Sequence, residues 1–108
     1  MTITSTQTDD AGVVQRAVGR YLTDATAAAF DITIGFKARY VKVLNVTSRD
    51  QYEWFEGMAA ASAVKTVAAG TRTLITTLGI TVAANKFTVG LDTDVNVINE
   101  QLSWIALG

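Results

Sequence analysis

The stretch FDITIGFKARYVKVLNVTSRDQYEWFEGM, Phe30 to Met58, decides the fold class. Phe30, Ile32 and Ile34 alternate with Asp31 and Thr33, which is the period of a half-buried strand. Gly35 to Ala38 supplies a turn. Arg39 to Val46 then reads as a second strand, with Tyr40, Lys42, Leu44 and Val46 opposite Val41, Val43 and Asn45. Both of its faces are substantially apolar, so it is expected in the middle of a sheet. After the polar loop Thr47 to Gln51, Tyr52 to Met58 returns as a third strand, with Tyr52, Trp54 and Met58 on one side and Phe55 on the other.

Working outward, GVVQRAVGRYL (Gly12 to Leu22) admits two descriptions. Val14, Ala17, Val18 and Tyr21 recur at near-helical spacing, but two glycines and three β-branched valines favour a strand. Met58 to Ala69 is also open between a short helix and an extended loop that enters a strand at Val64 to Val67; the second is favoured because so short a helix is marginal. Beyond Gly70, glycines separate Arg72 to Leu78, Ile80 to Val82 and Phe87 to Leu91, and Val95 to Ile98 with Gln101 to Leu107 suggest a closing hairpin across Asn99 and Glu100. The chain has no proline, so every strand position keeps its backbone donor.

The expected fold is therefore all-β: residues 12–108 as a single small β-sandwich or jelly-roll-like barrel of about eight short antiparallel strands. Residues 1–11 form an N-terminal arm with little to bury, either an extended tie to a neighbour or a frayed terminus.

Composition narrows the function classes. Of 108 residues, 49% are hydrophobic and 18% charged, a greasy mixture for one small domain, which favours self-association or docking onto an assembly. Nine basic and ten acidic side chains are dispersed without blocks, so nothing resembles the basic stripe of a nucleic-acid domain. With no cysteine and no histidine, disulfides, thiolate zinc sites, cysteine nucleophiles, imidazole ligands and the Ser-His-Asp arrangement are excluded. The polar start MTITSTQTDD is unlike a signal peptide and no apolar run is long enough to span a bilayer as a helix, so a chain made in a cytoplasm and free of membrane is expected.

Motifs with chemical content fail on inspection. Asp92-Thr93-Asp94-Val95-Asn96 opens like a calcium loop, but Val97 stands where the turn glycine belongs and Ser103 where a bidentate Glu belongs, so no metal site is expected. Glu53 and Glu56 fall on opposite faces of a strand and cannot flank one bond; with Asp9 and Asp10, they read as solvated charges. No glycine pattern cradles a phosphate, so no cofactor is expected. Tyr40, Tyr52, Trp54 and Phe55 near Arg39, Lys42 and Arg49 read as core and rim residues before they read as a single-strand nucleic-acid platform.

Five segments carry a family resemblance: KVLNVT (Lys42 to Thr47), EWFEGM (Glu53 to Met58), TRT (Thr71 to Thr73), DTDVN (Asp92 to Asn96) and the terminal WIALG (Trp104 to Gly108). Together they resemble small structural proteins of tailed-bacteriophage virions, most of all head decoration or cement proteins, over about residues 31–108. The resemblance implies a non-enzymatic protein on the capsid surface, made in the host bacterial cytoplasm, whose partners are the major capsid protein and copies of itself as a trimer or dimer. Candidate interface residues are Thr2, Ile3 and Thr4 of the arm and Tyr52, Trp54, Phe55 and Met58 of the aromatic return, a core role weighing more heavily for the last four. The alternative is a tail or fibre adaptor or receptor-binding module, in which Trp54 or Trp104 would lie open as a glycan platform.

Overall fold

A computed structural model describes residues 15–108; the arm and the first residues of the domain lie outside the described residues. Among the described residues eight strands form one antiparallel sheet: β1 (Arg16–Leu22), β2 (Phe30–Thr33), β3 (Tyr40–Asn45), β4 (Gln51–Phe55), β5 (Ser62–Thr66), β6 (Arg72–Val82), β7 (Lys86–Val89) and β8 (Gln101–Leu107), in the order β1-β8-β3-β4-β5-β6-β7-β2. The Gly12 to Leu22 segment resolves as a strand over its described part.

The sheet curls into a half-barrel, and three contacts across its concave side show how. Phe87 of β7 meets Trp104 of β8 edge to face, with ring centroids 5.4 Å apart. Tyr21 of β1 stacks on Phe30 of β2 at 4.0 Å, although these strands stand at opposite ends of the sheet order. Tyr52 of β4 donates its hydroxyl proton to the carbonyl of Leu78 in β6. Between these layers lies the core: Val41, Val43, Tyr52, Ile80, Phe87, Val89, Val95 and Leu102 are all fully buried. Each contributes about 1.5 to 3 kcal/mol of transfer free energy, which is how a chain of this size offsets its conformational entropy.

β3 is central as its sequence indicates, paired with β8 on one side and β4 on the other. Its Val41, Val43 and Asn45 face inward while Tyr40, Lys42 and Leu44 are half-buried on the outer face. Asn45 is a buried polar side chain, satisfied by donating to Val95 O and accepting from the Thr47 and Ser48 amides, which folds the β3–β4 loop over it.

Four expectations are corrected. β4 stops at Phe55, because Gly57 adopts φ +99° and Met58 N bonds back to Phe55 O, so Met58 sits in a turn. β5 begins two residues before Val64 and ends at Thr66. Gly79 does not separate two strands: β6 runs from Arg72 to Val82 through a local irregularity at Leu78 (φ 61°) and Gly79. A Cβ at Gly79 would stand 2.6 Å from the Ser62 backbone, and one at Gly90 would stand 2.4 Å from that of Leu78, so both glycines permit backbone contact where the sheet bends. Val95 to Ile98 is not a strand. The segment from Asp92 is a turn, closed by Asn96 N to Asp92 O and anchored by the Asn96 amide to the carbonyls of Ala28 and Gly90. β8 pairs instead with β3 and β1.

Candidate assembly surface

The convex face of the sheet is where apolar groups remain accessible. Cross-strand register aligns Val18, Ile105, Lys42, Glu53, Val64 and Leu74 in one row over six neighbouring strands. A second row aligns Arg16, Leu107, Tyr40 and Phe55. Val18 and Leu74 are 66% and 65% exposed and Phe55 is 48% exposed, so the rows are mostly apolar, with Lys42 and Glu53 in the middle of the first and Arg16 at the end of the second. Tyr40 and Phe55 pack as a tilted cross-strand pair at 5.2 Å. Tyr40 also donates to Glu53 at 2.9 Å; partial burial first, and the Glu53 carboxylate second, push its phenol up to about 12. Arg39 pairs with Glu56 at 3.3 Å at the rim of this face.

The structure separates the residues singled out in sequence. Tyr52 and Trp54 point into the core, opposite Val43 and Val41 of β3, and the Trp54 indole donates to Ala59 O. Phe55, one residue further, points out. Met58 packs partly buried against the core, and its sulfur accepts from Phe55 N. Thr2, Ile3 and Thr4 lie outside the described residues. Trp104 is in the interior between Phe87 and Gly19, so neither tryptophan forms an open platform. Sequence reasoning passed over Val18, Leu22, Leu74 and Leu78; the alternation Arg16, Val18, Arg20, Leu22 was the available signal for the first two.

The Asp92 loop holds a charged cluster on the other side of the sheet. Lys65 of β5 bonds both oxygens of Asp92, at 3.0 and 3.1 Å, and also bonds Asp94. An ammonium thus stands between the carboxylates that a divalent cation would need. Burial would raise the Asp92 carboxyl, but the amide of Asp94 and the Lys65 ammonium outweigh it and hold the group below its usual range. Burial likewise opposes charge on Lys65, and its two carboxylate partners overcome that and raise it. Tyr52, buried and close to Asp92, is pushed up strongly. Among the described residues no group of three or more His, Cys, Asp or Glu side chains is arranged to hold a metal.

Two clefts are too small for an ordinary organic ligand, which needs about 300 to 1,000 Å³. One, of about 130 Å³, lies between Tyr21, Asp24, Phe30 and Asn96; the other, of about 260 Å³, lies between Lys37, Trp54, Met58 and Val82. A scan against protein-family models, a search of curated proteins and a search of solved structures each return no match.

Proposed function

We propose that this chain is a non-enzymatic virion structural protein that binds and stabilises a phage capsid shell as a decoration or cement protein. The observation that carries the proposal is the convex face: Val18, Ile105, Leu107, Tyr40, Phe55, Val64 and Leu74 on neighbouring strands of one sheet, with Lys42 and Glu53 among them. Such a surface suits repeated protein contact. Aromatic and aliphatic anchors with a polar rim are the common composition of an interface. The motif resemblance supplies the virion context. The partners proposed are the major capsid protein and further copies of this chain, as a trimer or dimer at the capsid surface, after synthesis in the host cytoplasm. Within this proposal the curled sheet is a sandwich-like or jelly-roll-like body, with β1-β8-β3-β4 facing β5-β6-β7-β2.

Apolar burial explains how a small contact suffices. At about 25 cal/mol per Å², a few hundred Å² per copy is modest alone and large when repeated over a shell. The test is stoichiometric binding of the purified protein to expanded heads that lack it, followed by cryo-electron microscopy of the loaded particle. Density for one symmetric set of copies on the shell supports the proposal. Absence of head binding, with co-purification on isolated tails, replaces it with the tail or fibre adaptor.

A further inference from the structure

We propose that the first ten residues of a second copy of this chain add a strand to the edge of β1 that faces away from β8, so that copies are tied together by exchanged N-terminal segments. This rests on the self-association in the proposed function but not on the capsid.

The two edges of the sheet differ. β2 is four residues long, and its outward Asp31 is bound by Lys86 at 2.7 Å and by Thr88 at 2.6 Å. A short edge closed by charge is protected against pairing. β1 is seven residues long and, among the described residues, pairs only with β8. Gly108 N bonds Gln15 O and Thr23 N bonds Glu100 O in the register that pairs Arg16 with Leu107. In an antiparallel ladder the bonded residues alternate, so 15, 17, 19, 21 and 23 face β8. Arg16, Val18, Arg20 and Leu22 therefore direct their backbone N–H and C=O groups to the open edge. These four residues present two groups each, a template of eight donors and acceptors.

The chain preceding Gln15 fits that template. Its 14 residues span up to about 46 Å when extended, enough to reach a neighbouring copy. Thr2, Ile3, Thr4, Thr6 and Thr8 are suited to a strand, and no proline or glycine occurs before Gly12. The charges are complementary. Asp9 and Asp10 are the only charged side chains before Arg16, whereas β1 carries Arg16 and Arg20 and no acid. Among the described residues neither arginine forms an ion pair. An antiparallel register with Asp10 opposite Arg16 places Thr8 beside Val18, Thr6 beside Arg20 and Thr4 beside Leu22, and so covers two of the most exposed aliphatic side chains, at 66% and 72%. Main-chain bonds would supply affinity and the Asp10–Arg16 contact would fix the register.

The experiment uses the full chain in solution, before any head is added. Sedimentation equilibrium should show an oligomer that T4P/T6P weakens by at least about tenfold, since each proline removes a backbone donor from the added strand. R16E should weaken it too, and D10K should restore association to R16E, a rescue that misfolding would not give. Because the chain lacks cysteine, T8C in one copy and V18C in another can be mixed and bridged by a short bis-maleimide, which should yield a linked pair of chains. A monomeric wild type, association unchanged by T4P/T6P, or a T8C/V18C double variant that links only within one chain would overturn the inference. Failure of the capsid proposal shows separately, as an intact oligomer that does not bind heads.

Discussion

Phe87 and Phe55 are the same residue type at strand positions, and the curled sheet assigns them opposite fates. Phe87 is fully buried, lies between Ile32 and Val82 in the register of β2, β7 and β6, and meets Trp104 at 5.4 Å with an interplanar angle of 71°. Phe87→Ala removes a ring that joins the two ends of the sheet. The expected cost is about 3 to 5 kcal/mol, from lost transfer free energy and the cavity left behind. Against a total of about 5 to 15 kcal/mol for a domain, that is a large fraction of the stability. Even 3 kcal/mol lowers Tm by at least about 12 °C in a domain of this size. Phe55→Ala on the convex face loses a half-exposed ring and its tilted contact with Tyr40, about 1 kcal/mol at most.

Urea unfolding read by tryptophan fluorescence compares the two variants directly, since Trp54 and Trp104 both report on the interior. Phe87→Ala should shift the midpoint far below wild type with the slope preserved, and Phe55→Ala should stay near it. If Phe87→Ala costs less than about 1.5 kcal/mol, or no more than Phe55→Ala, β7 and β8 are not packed across a common core. The curl, and the convex face defined by it, would then be wrong. Self-association separates the variants in the other direction: Phe55→Ala should weaken it while leaving the monomer folded.

Three further outcomes follow from the cluster and the bend. Lys65→Met leaves Asp92 and Asp94 without their cation at a site where Lys65 and Asp92 are each 13% exposed; a loss of about 2 to 3 kcal/mol is expected in thermal or urea unfolding, and a neutral result would show that water replaces the ammonium. Because the Asp92 carboxyl is held low and Lys65 is held high, their contribution is fully present between about pH 4 and about pH 10. It is lost as pH falls through the folded value of Asp92 and as pH rises through the folded value of Lys65. Protection of the Asp94 and Asn96 amides, relative to their intrinsic exchange rates, should therefore fall at acid pH in wild type, and should fall less in Lys65→Met, where backbone amides alone still hold Asp92 low. Gly90→Ala forces a Cβ to 2.4 Å from the Leu78 carbonyl carbon, where backbone must move, so a loss of about 1 to 3 kcal/mol is expected, checked by the urea midpoint.

The hairpin of β3 and β4 was legible in sequence because period-two alternation is a local property, and so was the separation of Phe55 from Tyr52 and Trp54. Which of the two faces becomes interior was not: a core role weighed more heavily for Phe55 as well as for Tyr52, Trp54 and Met58, and Phe55 is 48% exposed while Tyr52 and Trp54 fall opposite Val43 and Val41. The Val95 to Ile98 segment was not legible. Its apolar content resembles a strand, but its conformation is set by Asn96 reaching Ala28, 68 positions away, and by Lys65 drawing Asp92 and Asp94 together from 27 and 29 positions away. Gly79 misled for a related reason: a glycine that ends a strand and one that lets a strand bend against another backbone are identical in sequence. The exposed ridge escaped notice because Val18, Leu74 and Leu107 look like core residues until the order β1-β8-β3-β4-β5-β6 puts them on the convex side.

The strand order also bears on why such a surface stays outward. An apolar residue on an edge strand normally invites unwanted pairing, and β2 shows the usual protection, with Asp31 tied down by Lys86 and Thr88. Among the described residues β1 lacks that protection: its outward row is Arg16, Val18, Arg20 and Leu22, with arginines as the only polar side chains in it. Like charge on every copy opposes direct pairing of two β1 edges, because the approaching strands bring four guanidinium groups together. It favours a strand that brings carboxylates. An edge with this charge pattern, unpaired among the described residues, suits a partner segment that carries carboxylates, and the sequence around Asp9 and Asp10 supplies one in every copy.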